Sequence, residues 1–179
     1  MNMPDLPACL IAEDEIDAIV RRLGAEITAR YRDCPRQLVV VGLLKGAFIF
    51  MADLVRRLEL PLVVDFLGVS SYGEAAVSSG DIRLTLDLAT DIAGRDVLLV
   101  EDIVDTGITI HAVRRLLARR QPRSLRVCAL LSKPDCRRVE VEVDFIGKEI
   151  GNAFVVGYGL DHAENFRHLP FIGAIGRQN

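Results

Sequence analysis

VLLVEDIVDTGITI, residues 97–110, joins three kinds of segment in one short stretch. Val97 to Val100 are apolar and mostly β-branched or leucine, as expected of a strand buried on both faces of a sheet. Two acids, Glu101 and Asp102, follow at once, and Asp105, Thr106, Gly107, Ile108 and Thr109 form the turn into a helix expected over 110–119. In open α/β sheets ligands bind beyond the carboxyl ends of the strands. A helix start preceded by Thr and Gly offers free N–H groups and a partial positive charge, which suits a phosphate. Carboxylates beside a phosphate would repel it unless they face sugar hydroxyls or a magnesium ion. The stretch therefore reads as a site for a phosphorylated sugar. Asp and Thr are also ordinary helix caps, but a capping role leaves Glu101 and Asp102 unexplained. The Asp105-Thr106-Gly107 triplet occurs once and opens a helix, whereas aspartic proteases pair two such aspartates in β-rich folds.

Outward from this stretch the pattern alternates strand and helix. Ile16, Ile19, Val20, Leu23 and Ile27 share one helical face, predicting a helix over 13–30. Leu38 to Val41 form a second buried apolar run, followed by a loop at Gly42 to Gly46 and a helix over 47–58. Further strands are expected over 62–67, 82–88 and 126–131, with shorter ones at Phe145-Ile146 and at Phe154 to Val156. Alternating strands and helices imply an α/β fold with a mostly parallel central sheet flanked by helices. Residues 70–80, SSYGEAAVSSG, are rich in Ser and Gly and read as a long mobile loop of the kind that closes over a site. From Ser132 onward the alternation fades, and this tail is expected to form a small cap. The expected organisation is a single domain over residues 1–179. Its core spans about 36–131, and its hood is built from the N-terminal segment and about 132–179.

Composition limits the partners. The chain has 179 residues, half of them apolar, and a formal net charge of -3. Mean hydropathy is +0.27 and the sequence pI about 5.6. This suffices for a sizeable core and presents no overall basic field for nucleic acid or anionic membranes, so neither is expected as a partner. No apolar run approaches the ~20 residues of a membrane helix. The N-terminus lacks a basic segment before an apolar one, and the four cysteines form no C-x-x-C pair. A cytoplasmic protein with reduced thiols is expected.

The apolar strand, the two acids and D-T-G-x-T resemble the phosphoribosyl pyrophosphate motif of the type I phosphoribosyltransferases. The resemblance runs over roughly 39–175 and looks like the hypoxanthine-guanine branch in its short bacterial form. Three further segments carry it: Leu43-Leu44-Lys45-Gly46, Ser71-Tyr72, and Ser132-Lys133-Pro134 together with FVVGYGLD, residues 154–161. Alone, these would pass for a surface lysine, a floppy hairpin, a core phenylalanine and a turn aspartate.

The resemblance implies that Thr106, Gly107, Ile108 and Thr109 hold the 5′-phosphate and that Glu101 and Asp102 hold the ribose hydroxyls, directly or through a metal. Leu44, Lys45 and Gly46 would cradle pyrophosphate with Ser71, Tyr72 and Arg167, and the Leu44–Lys45 bond would be cis. Lys133 would donate to the exocyclic oxygen of the base, Phe154 would stack on it, and Val155 would read its edge. Asp161, near the purine, would bind Mg2+ with Glu101 and Asp102. Asp105 would be the catalytic group, accepting a proton or strong hydrogen bond from the purine N7.

The implied reaction transfers the phosphoribosyl group from phosphoribosyl pyrophosphate to N9 of a 6-oxopurine, hypoxanthine or guanine. It gives the mononucleotide and pyrophosphate, in a homodimer or homotetramer. Two departures stand out. Ile108 replaces a lysine found in some relatives, leaving the 5′-phosphate to backbone N–H groups and the Thr106 and Thr109 hydroxyls. Gly151-Asn152 replaces the Pro-Asp that often precedes the stacking residue. A pyrimidine or 6-aminopurine transferase shares the phosphate motif, but an ammonium at Lys133 can only donate. A non-catalytic nucleotide-sensing regulator on the same fold is the alternative of a different class.

Overall fold

The central strands are buried on both faces. The structure, a computed structural model, describes residues 6–71 and 82–176. Its larger sheet has six strands: β2 (Leu38–Leu44), β3 (Leu62–Ser71), β4 (Ile82–Leu86), β5 (Asp96–Val104), β6 (Ser124–Ser132) and β7 (Phe145–Glu149). The first strand of the chain, β1 (Ala8–Ile11), lies elsewhere, with β8 (Phe154–Val156) and β9 (Ile172–Ile175).

In β2, Leu38 and Val40 face one hydrophobic cluster, while Val39, Val41 and Leu43 face another. Leu98 and Val100 of β5 alternate likewise with Val97 and Leu99. A two-residue period with both phases apolar is the signature of a sheet covered on both sides. One side is covered by α1 (Glu13–Tyr31) and α2 (Phe48–Val55), whose Ile16, Leu23, Phe50 and Leu54 join the first cluster. The other is covered by α3 (Ile108–Ala118) through Ile110, Val113 and Leu117.

The strand order is β4-β3-β2-β5-β6-β7, parallel except for β4. The chain leaves β2 toward β3 on one side and returns with β5 on the other. The sheet therefore switches direction between β2 and β5, and the carboxyl ends of those strands flank the crevice where such folds bind ligands. The larger sheet extends past residue 131 to take in β7. The second sheet, β1-β9-β8, is antiparallel and joins strands from both ends of the sequence. Among the described residues no helix is long and apolar enough to cross a membrane.

Several elements differ from their sequence outlines. β3 runs on to Ser71, whose backbone pairs with Ile82. Helix α2 stops at Val55 rather than 58, because Arg57 and Leu58 close single turns onto Leu54 and Val55. Helix α3 starts at Ile108, two residues early, because Gly107 takes a left-handed φ of 81° and lets the chain enter the helix directly. Tyr72 and most of the 70–80 loop lie outside the described residues.

Candidate active site

Three segments meet at the switch point. The first is the end of β5. Asp102 is buried, and its Oδ1 accepts from the Ile103 N–H at 2.8 Å. Glu101 Oε2 is buried with no hydrogen-bond partner. Burial first, and then the neighbouring Asp102, push the Glu101 carboxyl well above its ordinary range. Burial also raises Asp102, against the pull of its backbone hydrogen bonds. Such a buried acidic pair with an unsatisfied oxygen suits sugar hydroxyls or a hard cation. Among the described residues no three acidic, histidine or cysteine side chains gather into a metal cage.

The second segment follows β2. The Leu44–Lys45 peptide bond is cis, as the resemblance implied. Gly46 lies so close under Asp102 that a Cβ there would collide with its carboxylate. Only glycine allows this approach. Lys45 Nζ reaches across to Glu164 Oε1 at 2.9 Å.

The third segment is the loop between β8 and β9. Gly159, with φ of 102°, presses against the Gly46 carbonyl, again with no room for a Cβ. Asp161 Oδ1 pairs with Arg167 Nη2 at 2.7 Å, and its Oδ2 accepts from the Glu164 N–H at 2.8 Å. Arg167 also donates through Nη1 to the Gly159 carbonyl at 2.8 Å. Asp161 is thus already engaged by a guanidinium and a backbone N–H.

The helix start after β5 is open. No side chain caps α3, and the nearest approach is Thr106 Oγ1, 3.5 Å from the Ile108 N–H. The turn is braced from outside: Arg138 and Val139 donate backbone N–H groups to the Thr106 carbonyl at 2.9 and 3.2 Å. Arg137 donates to the Val104 and Asp105 carbonyls and to Ser132 Oγ.

Beside this turn, Lys133 Nζ donates to Asp105 Oδ2 at 2.8 Å. The Lys133 side chain is only 7% exposed and that of Asp105 44%. The Lys133 backbone N–H bonds to the Val104 carbonyl, which ties the two strand ends together. Phe154 opens β8 and remains 48% exposed, with His162 edge-on to its ring at 5.3 Å. Val155 is buried and pairs with Ala174 of β9.

The ends of β5 and β2 and the loop carrying Asp161 and Arg167 thus come together, and Lys133 joins Asp105; Phe154 and Val155 lie on β8 of the second sheet, and Tyr72 lies outside the described residues. Sequence reading missed Arg137, His162 and Glu164. Arg137 reaches Val104 and Asp105, and Glu164 reaches Lys45, only once distant segments meet, whereas His162 meets Phe154 within its own segment, where no spacing rule marks it.

Comparison with known proteins agrees with this geometry. Residues 12–163 match the phosphoribosyl transferase domain family. A hypoxanthine phosphoribosyltransferase of Salmonella typhimurium is 49% identical, over 93% of either chain. A hypoxanthine-guanine phosphoribosyltransferase of Bacillus subtilis is 45% identical, over 98% of this chain and 96% of that one. Among solved structures, a hypoxanthine phosphoribosyltransferase of Staphylococcus aureus superposes with a TM-score of 0.91 at 42% identity. That match covers 96% of this chain and 92% of the other. The open helix start, the buried acidic pair and these matches agree: the chain belongs to the phosphoribosyltransferase family, in its hypoxanthine(-guanine) branch.

Proposed function

We propose that the protein transfers the 5-phosphoribosyl group from phosphoribosyl pyrophosphate to N9 of hypoxanthine or guanine, a purine-salvage reaction. The observation that carries this is the Lys133–Asp105 pair at 2.8 Å. A nearly buried ammonium, which only donates, stands next to a carboxylate, which only accepts, beside an open helix start. A 6-oxopurine presents the matching pair of groups, a carbonyl oxygen at C6 and a protonated N7. A 6-amino group would face the ammonium with donors.

In this reading the 5′-phosphate sits on the backbone N–H groups of residues 106–109 and the hydroxyls of Thr106 and Thr109. Glu101 and Asp102 hold the ribose hydroxyls and, with substrate oxygens, Mg2+, whose charge would neutralise the leaving pyrophosphate. Asp161 serves that ion from the pyrophosphate side. Leu44, Lys45 and Gly46 receive the pyrophosphate, with Arg167 and the 71–72 segment. Phe154 offers its exposed ring to the base.

As the bond from the anomeric carbon to pyrophosphate lengthens, positive charge grows on the ribose, as in glycoside chemistry. Asp105 takes the proton or strong hydrogen bond of N7, which makes N9 a better nucleophile. The protein acts in the cytoplasm as a homodimer or homotetramer, in keeping with the resemblance.

The test is direct. The purified protein is mixed with hypoxanthine, phosphoribosyl pyrophosphate and Mg2+, and inosinate is measured by mass spectrometry, with adenine and Mg2+-free controls. Inosinate is expected with hypoxanthine, and no adenylate with adenine. Nucleotide binding without turnover would convert the reading to that of a sensor.

A further inference from the structure

We infer that Glu164 is the resting counter-anion of the pyrophosphate subsite, holding Lys45 and Arg167 in the free protein and yielding them when pyrophosphate arrives. This rests on the reading of Lys45 and Arg167 as pyrophosphate ligands given above.

The geometry comes first. The two oxygens of one carboxylate are divided between two cations from different segments: Oε1 lies 2.9 Å from Lys45 Nζ and Oε2 3.5 Å from Arg167 Nη2. A carboxylate spanning an ammonium and a guanidinium mimics the way a bridging phosphate would span them. Residues 45 and 164 come from opposite sides of the crevice, so the contact exists only because the hood loop folds over the end of β2.

The backbone is shaped for this contact. Ala163 and Glu164 have φ of 50° and 63°, in the left-handed region that residues with side chains rarely occupy. Such conformations persist where surroundings over-determine them, and they gather at ligand clamps. Here the Glu164 N–H is fixed to Asp161 Oδ2, and His162 and Asn165 bond to each other in both directions at 3.2 and 3.0 Å. The turn thus aims the Glu164 side chain at the cations, although no fold requirement calls for a glutamate there.

The contact is also releasable. Both Lys45 and Glu164 are about two-thirds exposed, so water and an incoming anion can compete for them. Arg167 is held instead by Gly159 and Asp161, and its link to Glu164 is the longest of the three. Its Nε is buried with no partner, a donor left unused in the free protein. Displacing Glu164 therefore frees Lys45 and one contact of Arg167, which Gly159 and Asp161 keep in place, without dismantling the site. The same carboxylate, returning, would help expel pyrophosphate after transfer. Glu164 touches no reacting atom and acts through Lys45 and Arg167, as a positioning residue.

The experiment measures binding of Mg2+-free pyrophosphate and of inosinate by titration calorimetry on the full chain and two variants. Glu164→Gln removes the charge and keeps the shape. Glu164→Gly removes the side chain and suits the left-handed backbone. Both should bind pyrophosphate about 3–10-fold more tightly, the combined worth of two ion pairs made by one exposed carboxylate. Inosinate affinity should stay within about 2-fold. In a Lys45→Met background the gain from Glu164→Gln should shrink, because one of its two partners is gone.

Unchanged or weaker pyrophosphate binding in the folded variants overturns the inference. So does loss of folding in both, which would make Glu164 a structural residue. If the unaltered protein makes no inosinate from hypoxanthine and phosphoribosyl pyrophosphate, the underlying reading falls instead. If it does make inosinate and the variants bind no tighter, only the role of Glu164 falls.

Discussion

Lys133 and Asp105 are each other's partners at 2.8 Å. On the proposed reading an entering purine would part them and give each a new partner, an oxygen for the ammonium and an N–H for the carboxylate. Asp105→Asn keeps the size and loses the accepting charge. It should lower turnover on hypoxanthine by about 10²–10⁴-fold, the usual worth of a general acid–base group, while inosinate binding weakens far less. Near-normal turnover in stopped assays would remove Asp105 from the chemistry. Lys133→Met should cost hypoxanthine about 1.5–3 kcal/mol of discrimination over adenine, the worth of a hydrogen bond to a charged group. Equal kcat/KM ratios for the two bases in variant and parent would point to another reader of the C6 substituent. Asp105 stood out in the sequence as part of the strand–turn–helix stretch, and Lys133 only through the family resemblance. Arg137, which grips the carbonyls of Val104 and Asp105, did not stand out. Its role depends on a chain crossing after β6 that no local pattern encodes.

Strand β5 is anchored at its foot as well as functional at its head. Asp96, its first residue, is buried and accepts from Cys34 Sγ at 2.8 Å, from Ser124 Oγ at 2.6 Å and from the Arg123 guanidinium. One carboxylate thus joins the end of α1, β5 and the start of β6. Burial works against its charge, yet the Arg123, Cys34 and Ser124 hydrogen bonds outweigh it and hold the carboxyl at about 2. A depressed acid stabilises the fold at pH above the ordinary carboxyl value of 3.8, and that contribution drains away as pH falls toward 2. Asp96→Asn should therefore cost about 1–2 kcal/mol at pH 7, discounted for the exposed Arg123. The gap to the parent should narrow below pH 4. Urea titrations across pH can check this, and a gap that does not change with pH would contradict it. At this scale the buried strands announced themselves through unbroken apolar runs. β1 and β9 did not, since a four-residue antiparallel strand has too few positions to show a period and exists only through its partner.

Across the whole molecule, the loop between β8 and β9 meets the loop after β2 where Gly159 approaches the Gly46 carbonyl. That contact brings the hood's Asp161 and Arg167 to the end of β2. Gly159→Ala would add a Cβ at a left-handed φ against a carbonyl, and should cost about 1–3 kcal/mol of stability. It should also weaken pyrophosphate binding, with urea unfolding and calorimetry as the readouts. An unaffected variant would mean that the hood can shift without loss. The α/β class and the parallel sheet followed from the sequence, because β-branched runs and a helix-start motif are local signals. The pairing of the two sheets did not, since it is settled by contacts between residues more than a hundred positions apart. The same arrangement bears on how the protein is made. Ala8 pairs with Ala174, and β8 lies beyond β9 in that sheet. A ribosome delivers residue 8 early and residue 174 late, so β2, β5 and β6 of the larger sheet emerge well before the middle strand of the smaller one. A polypeptide cut off short of Ile172 would leave β1 and β8 unpaired.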